Sequence, residues 1–146
     1  AWYTVGSYTT AGTVTASLSG VAAASQIVVV RYSGASLAAP LGDVASANAN
    51  GVNGNCGSAP NQKPYGTSLT TSGDTAVVGA VVFTKNNSRP VSSQTSLASV
   101  QSGAGPNTLN LAVQGDPVST ASTVSVEGEF ASAARWGLFA IEILPP

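Results

Sequence analysis

Alternation of apolar and hydroxyl-bearing side chains is the dominant pattern along this chain. Val14, Ala16 and Leu18 alternate with Thr and Ser residues, which is the period of a strand with one buried face. Residues 27–32 and 76–83 are instead apolar on both faces and rich in Val, which is typical of central strands. No segment carries apolar residues at helical spacing for more than about two turns. The chain is therefore predicted to consist of β-strands.

Turn-forming residues divide the predicted strands at regular intervals. About eight short strands separated by such turns favour one domain over residues 1–146, an all-β antiparallel β-sandwich of the jelly-roll or Ig-like kind without substantial helix. Residues 42–66 are poor in β-branched residues and rich in Ala, Asn and Gly, which predicts a long loop that either carries function or is only an elaborated surface loop. The remaining predicted strands cover residues 2–9, 68–69, 109–113, 124–130 and 136–144.

The composition removes most classes of chemistry. Charged residues make up 8 % of the chain, against about 25 % in ordinary globular domains, and there is no His and one Cys. A Ser or Cys nucleophile normally needs His or a substitute base, so the chain is predicted to be non-enzymatic, with no catalytic residues, cofactor or metal centre. The five basic residues are scattered, so nucleic acid is not an expected partner, and no apolar window is long enough to span a membrane.

The few acidic residues leave two minor alternatives open. Glu127 and Glu129 lie two residues apart on one predicted strand face, as a glycosidase acid pair would, although a solvated strand face explains them better. Asp43, Asp74 and Asp116 are oxygen donors that suit calcium, but no calcium-loop motif contains them.

Three residues are candidates for covalent chemistry. Cys56 has no partner for an internal disulfide, so it is either a free thiol or one that pairs between chains. Asn86 begins an Asn-Asn-Ser sequence that fits the acceptor pattern for N-linked glycan, so it is the glycosylation candidate of a glycoprotein. Lys85, next to it, is a candidate for a Lys–Asn isopeptide bond of the kind that some surface adhesins contain.

The order of the segments resembles a β-sandwich module that is repeated in large secreted and surface proteins of bacteria and archaea. In that module an aromatic strand precedes a Gly-Thr-x-Thr-Val-Thr strand, a Val-rich strand ends in an aromatic-Ser-Gly turn, and a Trp-containing strand ends at Pro. The resemblance implies a secreted protein that is extracellular or at the cell surface. The stretches that carry it here are residues 2–3, 11–15, 27–34, 40–42, 73–78 and 136–145.

The resemblance also implies a way of assembling. Modules of this type usually carry a further strand ahead of the aromatic one, and a sandwich that lacks it has an open edge which another copy fills by strand donation. Because a head-to-tail contact does not close, the expected product is a self-assembling filament or surface layer, a homo-polymer of this structural protein. The donor-strand candidates are the apolar residues of both chain ends: Trp2, Tyr3, Val5, Tyr8, Trp136, Leu138, Phe139, Ile141 and Ile143.

A secreted carbohydrate-binding or adhesion module is the alternative function. Tyr65, within the predicted loop, is expected to be the most exposed aromatic ring and is the glycan-binding candidate, whereas Trp136 is expected to face the core. This alternative predicts a monomer that is retained on polysaccharide, and the assembly hypothesis predicts a species of high mass.

Overall fold

Two antiparallel sheets packed face to face form a β-sandwich, which confirms the predicted fold class. The computed structural model describes residues 3–6, 11–55, 60–84 and 91–146. In chain order the strands are β1 (Leu41–Asn48), β2 (Gly51–Val52), β3 (Gln62–Thr70), β4 (Thr75–Thr84), β5 (Val91–Ser92), β6 (Ser96–Ser102), β7 (Leu109–Val118), β8 (Thr123–Ala134) and β9 (Trp136–Ile143). The one helical element among the described residues is a single 3-10 turn, Gly105–Asn107.

The two sheets differ in size. The large sheet has six strands in the order β2-β1-β9-β4-β7-β6, and β4 pairs with β7 on one side and with β9 on the other. The small sheet has three strands in the order β3-β8-β5, of which β5 contributes only two residues. The large sheet is therefore wider than the small one. Its outer face is the face turned away from the small sheet.

The main core lies between the sheets. Val77, Val81 and Phe83 of β4 meet Val126 and Phe130 of β8, and each of these side chains is at most 1 % exposed. Burial of such side chains contributes roughly 1.5–3 kcal/mol each. Most of this core comes from segments that the apolar pattern singled out. The strands predicted from residue 68 onward correspond to β3, β4, β7, β8 and β9, with Leu144 just past the end of β9.

The prediction of a long loop over residues 42–66 is wrong for most of that range. This range contains nearly all of β1, the whole of β2 and the first half of β3. β1 pairs with β9 from Leu41 to Asn48, with a bulge near its start, and Ala47 and Ala49 are buried in the core. Ala and Asn have low strand propensity, but the neighbouring strand β9 supplies the hydrogen bonds and the buried surface that override it.

The strands predicted near the N-terminus are also wrong where the structure describes them. Residues 3–6, 13–19 and 27–32 belong to no strand, while Trp2 and residues 7–10 lie outside the described residues. A strand exists only where a neighbouring backbone completes its hydrogen bonds, and no strand of the described sandwich lies beside these segments. Their apolar and polar residues alternate as in a strand, but the described strands of the two sheets pair with none of these segments.

A buried carboxylate connects three elements at one end of the sandwich. Glu142 of β9 is 3 % exposed; its Oε2 accepts the Asp43 N–H of β1 at 3.1 Å. Its Oε1 accepts the N–H and the hydroxyl of Ser72, in the β3–β4 turn, at 2.7 and 2.8 Å. Burial alone raises the pKa of Glu142, but these hydrogen bonds outweigh it and hold the pKa below its usual value.

Candidate assembly interface

The N-terminal arm, defined here as residues 11–40, precedes β1 and joins neither sheet. Its first half, residues 11–23, is exposed throughout, and the apolar side chains Val14 (60 %), Leu18 (61 %) and Val21 (107 %) face solvent. The first charged residue of the chain is Arg31, so this whole half carries no charge. This half of the arm therefore has exposed apolar side chains, but no core that buries them and no charged side chain that keeps the segment solvated.

The second half of the arm is fastened to the large sheet by polar contacts. The side-chain amide of Gln26 donates hydrogen bonds to the carbonyl oxygens of Val100 on β6, at 3.0 Å, and Leu109 on β7, at 2.7 Å. Farther along, the Ser36 N–H donates to the carbonyl oxygen of Leu144, just past the end of β9, at 2.9 Å. The arm thus crosses the outer face of the large sheet diagonally, from the β6–β7 end to the opposite corner.

Apolar contacts under the arm form a second core. Val28 and Tyr32 of the arm pack against Val78, Ala80 and Val113, which are buried on the outer face of the large sheet. Burial raises the pKa of the Tyr32 hydroxyl. The Val-rich segment predicted to be a central strand therefore covers a sheet face instead of joining a sheet. Half-buried side chains of the same cluster are Ala98, Leu111, Phe139, Ile141 and Ile143.

The free half of the arm emerges beside β6. A methyl group built on Gly103, in the β6–β7 turn, would lie 3.2 Å from Cβ of Ala24, so the arm passes over this turn. Residues 11–23 come before this point in the chain and contact solvent. The exposed, uncharged half therefore starts from the edge of the large sheet.

The two groups of donor-strand candidates have different positions. In the N-terminal group Tyr3 (66 %) and Val5 (37 %) are exposed, and Trp2 and Tyr8 lie outside the described residues. The C-terminal candidates form β9, which pairs with β1 and β4 on its two sides and so has no free edge over most of its length. These C-terminal residues hold the sandwich together: Trp136 and Leu138 are in the main core, and Phe139, Ile141 and Ile143 are in the second core.

Tyr65 does not have the exposed ring that the sequence analysis expected, because it lies in β3 and is only 3 % exposed. Its ring packs against Phe130, with centroids 4.9 Å apart, and against Trp136 at 6.2 Å. Its hydroxyl donates a 2.8 Å hydrogen bond to Oε1 of Gln114, and burial raises its pKa to about 12. This ring is part of the core and offers no face for a sugar to stack on.

An open cleft of about 640 Å³ lies between the β1–β2 turn and the start of β3, with Trp136 in its lining. Two amide side chains at its rim already have partners. Asn48 Nδ2 donates to the carbonyl oxygen of Gly54 at 2.6 Å, and Asn50 Nδ2 donates to that of Asn55 at 2.7 Å. These amides hold the local turn, so they are not free to bind a ligand in this conformation.

The acidic candidates are dispersed. Asp43 accepts the N–H groups of Val44 and Thr70, and Asp116 accepts that of Thr95, so both carboxylates stabilise backbone. Asp74 lies in the β3–β4 turn with a φ of 51°. Within the described residues no three His, Cys, Asp or Glu side chains come together in a way that would hold a metal ion.

The remaining candidates add no site that the structure can localise. Glu127 and Glu129 both lie exposed on β8, as expected for a solvated strand face. Cys56, Lys85 and Asn86 lie outside the described residues.

The anchoring role of Gln26 and the strand β6 were not predicted from the sequence. A polar residue directly before a Val-rich run is a weak indication of an anchor, and β6 has only Leu97, Ala98 and Val100 as apolar residues. Neither pattern differs enough from that of a loop to be recognised without the sheet beside it.

The described residues contain no helix that is long and apolar enough to cross a membrane. The chain matches no protein-family model, no curated protein and no solved structure.

Proposed function

We propose that this chain is a non-enzymatic extracellular structural protein whose copies assemble by strand donation into a filament or surface layer. The observation that carries the proposal is the exposed, uncharged half of the arm, residues 11–23. The resemblance to repeated modules of secreted and surface proteins supports the same function and the extracellular location. The proposal requires no catalytic residue and no cofactor.

Leaving the apolar side chains of residues 11–23 in water costs free energy. Val14 and Leu18 are mostly exposed, and residues 11–18 belong to no strand, so no sheet ladder pairs their backbone N–H and C=O groups. Addition to a sheet edge satisfies both, because the ladder pairs the backbone groups and the sheet face covers the apolar side chains. Because residues 11–23 carry no charge, no electrostatic repulsion from this segment opposes the pairing.

The geometry favours growth over closure. The arm extends from one side of the sandwich, and a contact between an arm and a different surface on the next copy is heterologous. Such contacts repeat without limit unless the rotation between copies closes a ring. The scarcity of charge, 8 % of the chain, agrees with a surface that is largely covered by neighbouring copies.

The test places charge on the apolar face of the arm. We expect the double variant Val14→Asp/Leu18→Asp to remain a folded monomer at concentrations where the unmodified chain forms a high-mass species, as measured by light scattering and electron microscopy. The matched control is Ser119→Asp/Thr120→Asp, which adds the same charge in the exposed β7–β8 turn and should assemble normally.

Two results would contradict the proposal. One is an arm variant that assembles as well as the control does. The other is an unmodified chain that stays monomeric at all concentrations and is retained on polysaccharide, which would favour the carbohydrate-binding alternative.

A further inference from the structure

The four strands at the sheet edges are not equally protected against pairing with another chain. β2 and β5 have two residues each, and β3 contains Lys63 and Pro64, both of which oppose addition of a strand. β6 has seven residues, SLASVQS, without charge, Pro or Gly. A bulge between Ser96 and Ala98 gives it some protection, and after this bulge the ladder with β7 is regular. Among the edge strands that the structure describes, β6 is therefore the one whose sequence and length least oppose an incoming strand.

The direction of the backbone groups on β6 follows from the hydrogen bonds of the neighbouring strands. The Thr84 N–H donates to the carbonyl oxygen of Arg135, which directly precedes β9. The backbone groups of the even-numbered residues of β4 therefore bond to β9, and those of the odd-numbered residues bond to β7. In the β4–β7 register, the even-numbered residues of β7 bond to β4, so its odd-numbered residues bond to β6. Leu111 of β7 is opposite Val100 of β6, so the N–H and C=O of Val100 point toward β7 and those of Ser99 point away from it. Ser99 thus presents its backbone groups at the edge of β6 that faces away from β7.

The two faces of β6 differ in the same way as the two faces of the arm. Ala98 packs into the second core on the outer face, and Val100 shares its parity and therefore its face. Ser99 lies on the opposite face and is exposed. In the arm, residues 13–19 alternate Thr or Ser with Val14, Ala16 and Leu18, so that one face is apolar and the other carries hydroxyl groups.

We propose that residues 13–19 of a second copy of this chain add to β6 as a seventh strand of the large sheet. In that arrangement the apolar face of the incoming strand extends the outer face beside Ala98 and Val100, and its hydroxyl face lies beside Ser99. A shift of one residue would reverse the two faces, so the pattern also restricts the register. This inference rests on the proposed function and assigns its donor and its acceptor.

A second copy is the occupant that the structure favours. The chain's own arm passes over the β6–β7 turn, yet residues 11–23 stay exposed and form no ladder with the adjacent β6. An extended stretch of that length reaches about 40 Å, which is enough to cross to a neighbouring molecule. Both the donor segment and β6 are uncharged, so their approach brings no like charges together.

The first test removes the edge donor on the full chain. Ser99→Pro deletes an N–H that does not serve the β6–β7 ladder, and proline is tolerated in an edge strand at such a position. We expect the concentration for half-assembly to rise at least about tenfold, because one inter-strand hydrogen bond is lost and the ring obstructs the incoming strand. Ser99→Thr keeps the N–H and is the matched control, expected to assemble like the unmodified chain.

The second test acts on the donor, where a folding defect cannot be the explanation. Thr15→Pro/Ala16→Pro interrupts strand pairing in either register, and both residues are exposed in the single chain. Amide hydrogen exchange of peptides that cover β6 should be slow in the assembled unmodified chain and fast in this variant.

The outcomes separate the two proposals. Assembly that is blocked by Ser99→Pro and retained by Ser99→Thr supports β6 as the acceptor. If both Ser99 variants assemble equally, or if exchange in β6 is the same with and without the intact arm, β6 is not the acceptor, while assembly as a function stands. If the unmodified chain never assembles, both proposals are wrong; slow exchange in β6 of that monomer would place the arm on its own edge.

Discussion

The side-chain amide of Gln26 donates a 2.7 Å hydrogen bond to the carbonyl oxygen of Leu109, and this bond fixes the arm at the border between β6 and β7. The same nitrogen also donates to Val100, so one side chain contacts two adjacent strands. The position of this anchor divides the arm into a half that covers the sheet and a half that is free to reach another molecule.

Replacement of Gln26 should release the covering half of the arm. Gln26→Ala removes two hydrogen bonds between neutral groups, and we expect the free energy of local opening to fall by about 1–2 kcal/mol. Amide exchange in residues 27–36 would then be faster, whereas exchange in β4 would not change. Ser25→Ala, at the exposed neighbouring position, is the control; equal exchange in the two variants would show that Gln26 is not the anchor.

Protonation of Glu142 should destabilise the sandwich in acid. Because its folded-state pKa is depressed, Glu142 contributes stability above its unfolded pKa of about 4.5, and this is lost as the pH falls through the folded-state value. Glu142→Gln leaves buried N–H donors facing an amide, so we expect a loss of about 1.5–3 kcal/mol near pH 7 and a weaker acid dependence. Denaturant titrations at several pH values measure both effects.

The control for this variant is Glu129→Gln, which neutralises an exposed carboxylate on β8. It should leave the free energy of unfolding within about 0.5 kcal/mol of the unmodified value. If Glu142→Gln kept the full acid dependence, another group would have to account for it.

The buried hydroxyl of Tyr65 should make the protein sensitive to alkali. Its folded-state pKa of about 12 exceeds the ordinary value of 10.0, so the neutral form is favoured and stability declines as the pH rises between these values. Tyr65→Phe removes the hydrogen bond to Gln114 and should cost about 1–3 kcal/mol while reducing this decline. Tyr3→Phe, at an exposed ring, should do neither, and a similar cost for both variants would count against the buried pair.

Close packing between the sheets should make Gly79 intolerant of a methyl group. A Cβ at Gly79 would clash with Cγ1 of Val126, so we expect Gly79→Ala to cost about 1–3 kcal/mol. Gly137→Ala is the matched control, because nothing lies within 4 Å of its Cβ position. Adding Val126→Ala should recover part of the loss, and strict additivity of the two changes would mean that these residues do not meet.

The parts of the fold that could be predicted are those where side-chain pattern and pairing agree. β4 is apolar on both faces because one face meets the small sheet and the other meets the arm, and β8 alternates because one of its faces is solvated. β1 could not be predicted, since Ala and Asn do not mark a strand until β9 lies beside them. The burial of Tyr65 could not be predicted either, because its Gly-containing segment does not indicate which face of β3 the ring occupies.

Sequence alone determined that the chain is a charge-poor β protein whose N-terminal segments have the alternation of strands, because this information is local and resides in the side chains. Only the tertiary structure decided that the described N-terminal segments join neither sheet and that β9 pairs on both sides within its own sandwich. It also decided that the uncharged β6 is the last of the described strands on one side of the large sheet. The physical reason is that a strand is defined by its neighbours: backbone hydrogen bonds and buried faces are shared between segments far apart in the chain.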